Sequence, residues 1–566
     1  MERSEQNSDT KTADRVLHSA IARLTGGLSP TALATAHLDW SMHLLGSPSK
    51  RAELWSLAQK HALAMLGPTG CDATTRRDKR FADPAWCAPP FSYWRDAFLA
   101  QQNWWDTATR NIDGVEPKHL DIVNFGARQY LDMMCPTNFP ATNPLVQART
   151  RATGGRNFEH GLRNWVEDFN HLVTRRPART SAYKVGETVA ITPGTVVLRN
   201  ALIELIRYAP TPRSDASPRV KTEPLLIVPA WIMKYYILDL SPHKSLVKYL
   251  CDQGYEVYMI SWRNPGKDDA GLSMQDYIDL GIRAATDAIA RTHDTPLHAV
   301  GYCLGGTLLA ITAAAMARDG DTRIKSLTLL ASQVDFSEPG ELGLFINESQ
   351  VAFLEDLMAT QGFLRADQMS GAFQMLRSND LIWSRVVRHY LLGERTEMND
   401  LMAWNADATR MPATMHSQYL RQLFLKNELA KGRYKVDGRA VALTDIRVPI
   451  FCLATQSDHV SPWQSVYRLL LLTDTDVTFA LTNGGHNGGV LSYPEHPDRH
   501  IRMLHKNEGD PHITAQAWFA QTDPVDGSWW PVWTRWLAQR NVAGTSPRYC
   551  RSPTGLGPAP GTYVLG

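Results

Sequence analysis

The hexapeptide Gly301-Tyr302-Cys303-Leu304-Gly305-Gly306 limits what this chain can fold into more than any other feature. A mostly apolar stretch, Leu297 to Val300, leads into it, and a small-residue apolar stretch, Thr307 to Ala317, leads out. The first pattern predicts a buried strand and the second a buried helix, so the hexapeptide is the sharp turn between them. Its Gly-x-nucleophile-x-Gly spacing suits a turn that holds one side chain in a strained backbone conformation at the top of a sheet. Glycines on both sides leave room for close approach. The side chain so presented is a cysteine, and the N-terminus of the following helix favours its thiolate, the reactive form. An acyl group passed onto sulfur stays a thioester and keeps the energy of a thioester donor. An isolated cysteine is more often an inert core residue, so the motif needs partners.

The partners come from strand ends. Val448-Pro-Ile-Phe-Cys-Leu-Ala-Thr455 reads as a buried strand and ends in Gln456-Ser457-Asp458-His459-Val460-Ser461-Pro462. Val477-Thr-Phe-Ala-Leu481 reads as another, ending in Asn483-Gly484-Gly485-His486-Asn487-Gly488-Gly489. Catalytic loops of α/β sheets gather just past strand ends. The chain order of nucleophile, acid and histidine is that of an α/β-hydrolase. Cys303, Asp458 and His486 are therefore the candidate triad. His459 is a second candidate base beside Asp458, its place before Ser461-Pro462 suggesting support. Asp335, after the strand Ser326–Ala331, is an alternative acid. The oxyanion of an acyl transfer would be held by the backbone N–H of Leu304, with a second N–H from the loop after Leu225-Leu-Ile-Val228, near Ala230 and Trp231.

Longer stretches carry a resemblance to a family. They include Asp83-Pro-Ala-Trp86, Pro136-Thr-Asn-Phe-Pro-Ala-Thr-Asn-Pro144, Thr192-Pro-Gly-Thr-Val-Val197 and Lys234-Tyr-Tyr-Ile-Leu-Asp-Leu-Ser-Pro242. Ser261-Trp-Arg-Asn-Pro265, Leu376-Arg-Ser-Asn-Asp-Leu-Ile-Trp383, Trp404-Asn405, Met411-Pro-Ala-Thr-Met-His416 and Gly527-Ser-Trp-Trp-Pro531 follow. From about Phe81 to about Leu537 the chain resembles the single-subunit polyhydroxyalkanoate synthases. The resemblance implies an enzyme that polymerises (R)-3-hydroxyacyl-CoA into polyester with release of CoA through a cysteine thioester, with Cys303, His486 and Asp458 at the family's catalytic positions. It implies a role for Asp458 in activating the 3-hydroxyl, directly or by tuning the histidine. It further implies a homodimer and a cytoplasmic location at the surface of polymer granules. Two stretches depart from the family pattern. Pro229-Ala230-Trp231-Ile232-Met233 replaces Pro-Pro-Trp-Ile-Asn, and Asn487-Gly488 replaces an apolar-Ala pair.

A polymerase must keep water from its acyl-enzyme. The segment about 336–442 falls between two core strands, has helical periodicity and suits a cap. Within it Trp404, Met415 and Tyr419 are candidates to line an acyl path, although aromatic and methionine residues at helical spacing more often pack a core. Tyr302 and Leu304 flank the nucleophile and bear on substrate size. Arg263 and Lys234 are candidate contacts for CoA phosphates. Two other readings use the same residues: a cysteine thioesterase or polymer depolymerase, and an inactive granule-binding protein.

Composition bounds the rest. The 566 residues allow two to four domains, and 59 Lys and Arg against 57 Asp and Glu leave no nucleic-acid footprint. Seven cysteines without a Cys-x-x-Cys predict no zinc site, no disulfide framework and reduced thiols, and no cofactor is expected. Met1–Thr10 is polar with no secretion signal, and the longest apolar run is too short for a transmembrane segment, so a soluble protein is expected. The expected fold class is α/β: an α/β-hydrolase core with an inserted helical cap and a mainly helical N-terminal domain. The expected divisions are a polar, partly disordered start at 1–78, a mainly helical domain at 79–208 and a Pro/Ser-rich linker at 209–218. The catalytic domain follows at 219–540, and an irregular tail at 541–566. The cluster Trp529-Trp530-Pro531-Val532-Trp533 reads as core packing.

Overall fold

Apolar runs become strands wherever the sequence keeps them short and bounded. The strands of the main sheet are β1 (Thr195–Arg199), β2 (Ile203–Tyr208), β3 (Leu225–Val228), β4 (Val257–Trp262), β5 (Leu297–Tyr302) and β6 (Ile324–Leu330), then β7 (Ile450–Thr455), β8 (Val477–Thr482), β9 (His500–Lys506), β10 (Val525–Asp526) and β11 (Gly557–Pro558). Their spatial order is β10-β9-β8-β7-β6-β5-β3-β4-β2-β1-β11. Strands β4, β3, β5, β6, β7 and β8 run parallel, and antiparallel strands extend both edges. The parallel strands are buried along almost their whole length, as a sheet covered on both faces requires.

The computed structural model describes residues 28–67, 77–174, 182–212, 220–542 and 555–566, with short stretches between 14 and 25. Met1–Thr10 and most of the stretch 209–218 lie outside the described residues. Two units are distinguished: Ala22–Ala178 with Met369–Glu397, and Met1–Ile21, Arg179–Gln368 and Met398–Gly566.

The first unit is helical, with long helices at Pro30–Gly46, Pro48–Ala64, Phe91–Ala108, Pro117–Met134 and Arg156–Thr174. Phe81, Trp86, Phe98, Leu131 and Cys135 form a buried cluster in it. The conspicuous stretch Pro136–Pro144 is a self-satisfying turn. Asn143 caps the helix Pro144–Thr153 by accepting from the N–H groups of Leu145 (2.9 Å) and Val146 (3.2 Å), and its amide donates to the Thr137 carbonyl at 2.6 Å. Ser378, from the middle of the presumed cap, donates to Asp132 at 2.6 Å within this same unit. Residues 369–397 thus belong with the N-terminal helices, and only the flanks of the insertion stay with the sheet.

In the second unit those flanks are stitched together where Phe363–Leu364 pairs antiparallel with Met411–Pro412. The end of the chain departs from the irregular tail that its glycines and prolines predict. Gly557–Pro558 pairs with β1, and the buried Glu204 carboxylate accepts from the backbone N–H groups of Thr562 (2.8 Å) and Tyr563 (2.9 Å). A two-residue strand is too short to leave a period in sequence. Cys87 is disulfide-bonded, a correction to the expectation of reduced thiols, while Cys135, Cys251, Cys303 and Cys452 are free. Spacing rules detect frameworks, not one bridge.

The helix Trp529–Ala538 closes the sheet next to the candidate base. Trp529, Trp530 and Trp533 are fully buried, and each indole N–H has an acceptor: Gly489 and Val490 carbonyls for Trp529, Val490 for Trp530, and Thr328 Oγ1 for Trp533. The cluster is core, and it grips the backbone just after His486. Trp533→Ala should cost about 3–5 kcal/mol of stability from lost burial and the cavity left behind. Trp533→Phe should cost clearly less. Denaturant unfolding of both variants measures this, and a Trp533→Ala loss below about 1 kcal/mol would contradict the packing account.

Candidate active site

The turn after β5 is built as its spacing demands. Cys303 sits at φ 53° and ψ −125°, a region closed to most side chains, and caps the buried helix Leu304–Arg318. Its N–H donates to the Leu330 carbonyl of β6 at 2.9 Å, and its carbonyl accepts from Gly306 at 2.9 Å. A Cβ at Gly301 would run into the Gly306 backbone, and one at Gly305 into the carbonyls of Val228 and Pro229 at the end of β3. The helix start is therefore pressed against the loop after β3. Because Val228 pairs with Gly301, that loop and the turn leave the sheet side by side. This is also where strand order reverses, the position at which open α/β sheets bind ligands.

Leu304 is the first residue of its helix, so its N–H has no intrahelical acceptor and is free for an oxyanion. Trp231 lies in the neighbouring loop, buried, with its carbonyl accepting from Thr409 Oγ1. The two expected oxyanion donors thus come from adjacent strand ends.

Asp458 and His486 emerge together in the same way, since Thr455 pairs with Thr482 at the ends of β7 and β8. His486 Nδ1 lies 2.7 Å from Asp458 Oδ2. The other carboxylate oxygen accepts from the N–H groups of Val460 and Ser461, each at 2.8 Å, and Thr455 Oγ1 donates to Oδ2 at 2.9 Å. Burial opposes charge on Asp458. The His486 charge, its hydrogen bond and the two backbone amides outweigh that and hold the carboxyl below its ordinary range. Burial likewise opposes charge on His486. The Asp458 carboxylate, then the Cys303 sulfur, and hydrogen bonds to both raise the imidazole well above its ordinary value. The ring therefore bridges acid and sulfur, and the three predicted residues meet.

The remaining candidates divide. Tyr302 is buried and packs its ring on His486, centroids 5.6 Å apart, while its hydroxyl donates to Asn487 Oδ1 at 2.6 Å. Burial first, then the charges of Cys303 and Asp458, push its phenol far above the ordinary range. Tyr419, on a π-helical turn at Tyr419–Leu425, also feels the Cys303 charge, in addition to burial. Trp404 is committed elsewhere: its indole donates to the Lys234 carbonyl at 2.8 Å. Lys234 Nζ binds the Gly566 backbone oxygen, and Arg263 pairs with Asp269 at 2.5 Å, so both presumed phosphate contacts are engaged within the chain. Asp335 is held by Arg468 (2.6 Å), Asn427 (2.8 Å) and Ser337. His459 is exposed. No role was expected for Thr455 or Asn487; Thr455 closes the strand before the acid and Asn487 directly follows the base, the positions that could have found them. Among the described residues there is no cluster of His, Cys, Asp or Glu that could hold a metal ion, and no helix long and apolar enough to cross a membrane.

The Asp458–His486 pair makes a pH prediction. A lowered carboxyl contributes stability above its unfolded value and loses it as pH falls through the folded one. A raised imidazole contributes fully below its unfolded value and loses it as pH rises through the folded one. The stability advantage of the native chain over Asp458→Asn should therefore be largest at roughly pH 4 to 6.5 and shrink on both sides. Denaturant unfolding across that range tests it; a pH-independent difference would remove the ion pair from the account.

Comparison with known proteins agrees in extent. Residues 8–50 match the family described as poly-beta-hydroxybutyrate polymerase N terminal, residues 77–250 that described as poly-beta-hydroxybutyrate polymerase (PhaC) N-terminus, and residues 223–487 the alpha/beta hydrolase fold. The chain is 37% identical over 535 residues to the poly(3-hydroxyalkanoate) polymerase subunit PhaC of Rhizobium meliloti, covering 93% of this chain and 85% of that one. It is 40% identical over 495 residues to the poly(3-hydroxyalkanoate) polymerase of Methylorubrum extorquens, covering 86% and 80%. It is 36% identical over 526 residues to the corresponding PhaC subunit of Cupriavidus necator, covering 90% and 86%.

Proposed function

The chain belongs to the poly(3-hydroxyalkanoate) polymerase family, and on that premise we propose that Cys303 carries the acyl group while His486 and Asp458 move its protons. The enzyme is a polyhydroxyalkanoate synthase on an α/β-hydrolase fold, joining hydroxyacyl units from hydroxyacyl-CoA into polyester. The observation that carries the mechanism is the part-buried His486, hydrogen-bonded to Asp458 at 2.7 Å, with the Cys303 sulfur close enough to raise the imidazole further.

In acylation the Cys303 sulfur attacks the thioester carbonyl of an (R)-3-hydroxyacyl-CoA. A sulfur–carbon bond forms, the bond from carbon to the CoA sulfur breaks, and His486 passes the cysteine proton to the leaving thiolate. The N–H groups of Leu304 and Trp231 hold the oxyanion between. In elongation the 3-hydroxyl of one unit attacks the acyl thioester of another. His486 takes the hydroxyl proton and returns it to the released sulfur, so Asp458 serves every ester bond through the charge it keeps on the ring. Tyr419 and the insertion around it limit water, the nucleophile that would end the chain.

The place of work follows from the product. Helix Arg156–Thr174 exposes Leu162, Trp165, Phe169 and Val173 along one face, and Trp165 stacks on Phe169 with centroids 5.2 Å apart. An apolar face of that kind supports the reading that the enzyme sits at the surface of its own polymer in the cytoplasm. Phe169→Glu should release the enzyme from sedimented polymer without loss of CoA release on soluble substrate; unchanged co-sedimentation would reject this face. Family membership is likewise the support for a homodimer, and sedimentation velocity showing only single chains at micromolar concentration would dismiss it.

Incubation with (R)-3-hydroxybutyryl-CoA, following CoA release and product size together, tests the reaction. High-mass polyester is expected, and Cys303→Ala should abolish both signals, a loss of at least about a thousand-fold. Free hydroxy acid alone would make the enzyme a thioesterase, and turnover surviving in Cys303→Ala would discard the triad.

A further inference from the structure

We propose that Tyr302 and Asn487 form a hydrogen-bonded clamp that positions the His486 ring between Asp458 and Cys303. The inference rests on the triad reading above and adds to it a second support for the base.

His486 is held on one edge by Asp458, which fixes Nδ1 but leaves the ring free to swing about that bond. Its face is covered by the Tyr302 ring, at 5.6 Å between centroids and an interplanar angle of 32°. Tyr302 ends β5, one residue before the nucleophile, and is 2% exposed. A phenol so buried needs an acceptor. It finds one in Asn487, the residue after the base, 2.6 Å away. The clamp therefore joins the strand that carries the sulfur to the turn that carries the base, through one ring contact and one hydrogen bond. An apolar residue at position 487 would leave the hydroxyl unmatched. Other ties on this turn act on its backbone to either side of the base: the Ser457 N–H on the Gly484 carbonyl, Trp529 and Trp530 on the Gly489 and Val490 carbonyls, and Arg499 on the carbonyls of Asn483 and Gly488. The groups that act on the His486 charge are Asp458 and Cys303.

The two halves of the clamp are unequal. Asn487 is only partly buried, so water can replace its lost partner. Tyr302 has no such recourse, so removing the acceptor should hurt more than removing the donor. Asn487→Leu should lower kcat for CoA release about ten-fold or more, and Tyr302→Phe less. Adding Tyr302→Phe to Asn487→Leu should restore much of the loss, because the unmatched hydroxyl is gone and the ring contact remains.

The experiment is a double-mutant cycle on the full chain with (R)-3-hydroxybutyryl-CoA. His486 titration is followed by NMR of labelled histidine, with His486→Gln for assignment. Looser seating against Asp458 should lower the pH at which His486 loses its proton in Asn487→Leu and bring it back in the double variant. Additive losses with no rescue, or an unmoved His486 titration despite lost turnover, would overturn the clamp. Cys303→Ala run alongside separates the two readings. If it retains turnover the triad itself fails; if it is inactive and the cycle is additive, only the clamp fails.

Discussion

A backbone conformation that most residues avoid sits at the centre of this enzyme, and much of the catalytic unit is arranged to impose it. Holding Cys303 at positive φ costs on the order of 1–3 kcal/mol, which local contacts cannot offset alone. The offset comes from the helix Leu304–Arg318, buried over nearly its whole length, and from the hydrogen bond between Cys303 N–H and β6. Gly301 and Gly305 serve the same end by letting the helix start touch β5 and the loop after β3. Their backbone contacts explain why the glycine spacing is a property of packing as much as of chemistry. Once the helix is pressed there, its start and the loop bearing Trp231 leave the sheet side by side.

Two aspartates show how partners, not residue type, decide a role. Asp335 and Asp458 are both buried, and both are held in the ionised form against the cost of burial. Asp335 spends its oxygens on Arg468, Asn427 and Ser337, a pairing that ties the chain leaving β6 to the insertion and to the segment after β7. Asp458 spends three of its four contacts on its own turn and keeps one for His486. A carboxylate neutralised by arginine has nothing left to hold a proton on an imidazole. Asp458, supported by uncharged donors, keeps its full charge for that purpose.

Such distinctions mark where the sequence was legible. The triad could be read because each member follows an apolar run that can only be a buried strand, and because short parallel strands leave sharp boundaries. The sheet was legible for the same reason, as were the buried tryptophans, whose spacing in Trp529–Trp533 is helical. Contacts between distant segments leave no such trace. Nothing in Leu376–Trp383 says that Ser378 will bond Asp132 among the N-terminal helices, and nothing in the last residues says that they will add a strand beside β1. Tyr302 packs against the base and Trp404 bonds the Lys234 carbonyl, a difference that aromatic character alone does not encode.

The base carries an unusual burden, and its surroundings answer to it. In a hydrolase the histidine serves one acylation and one deacylation, with water free to enter. In the mechanism proposed above it would act for every ester bond, beside a growing apolar chain, with water kept out. Burial alone would drive its proton off, so the proton has to be retained by fixed charges at fixed distances, and distance in a buried pair matters more than in water. The ring is accordingly restrained from three sides: Asp458 at its edge, Tyr302 on its face, and the tryptophans of Trp529–Ala538 on the backbone just beyond it. Each restraint comes from a different part of the chain: the loop after β7, the end of β5 and the helix after β10. That convergence explains why motifs as distant as Gly301–Gly306 and Gly527–Pro531 belong to one site.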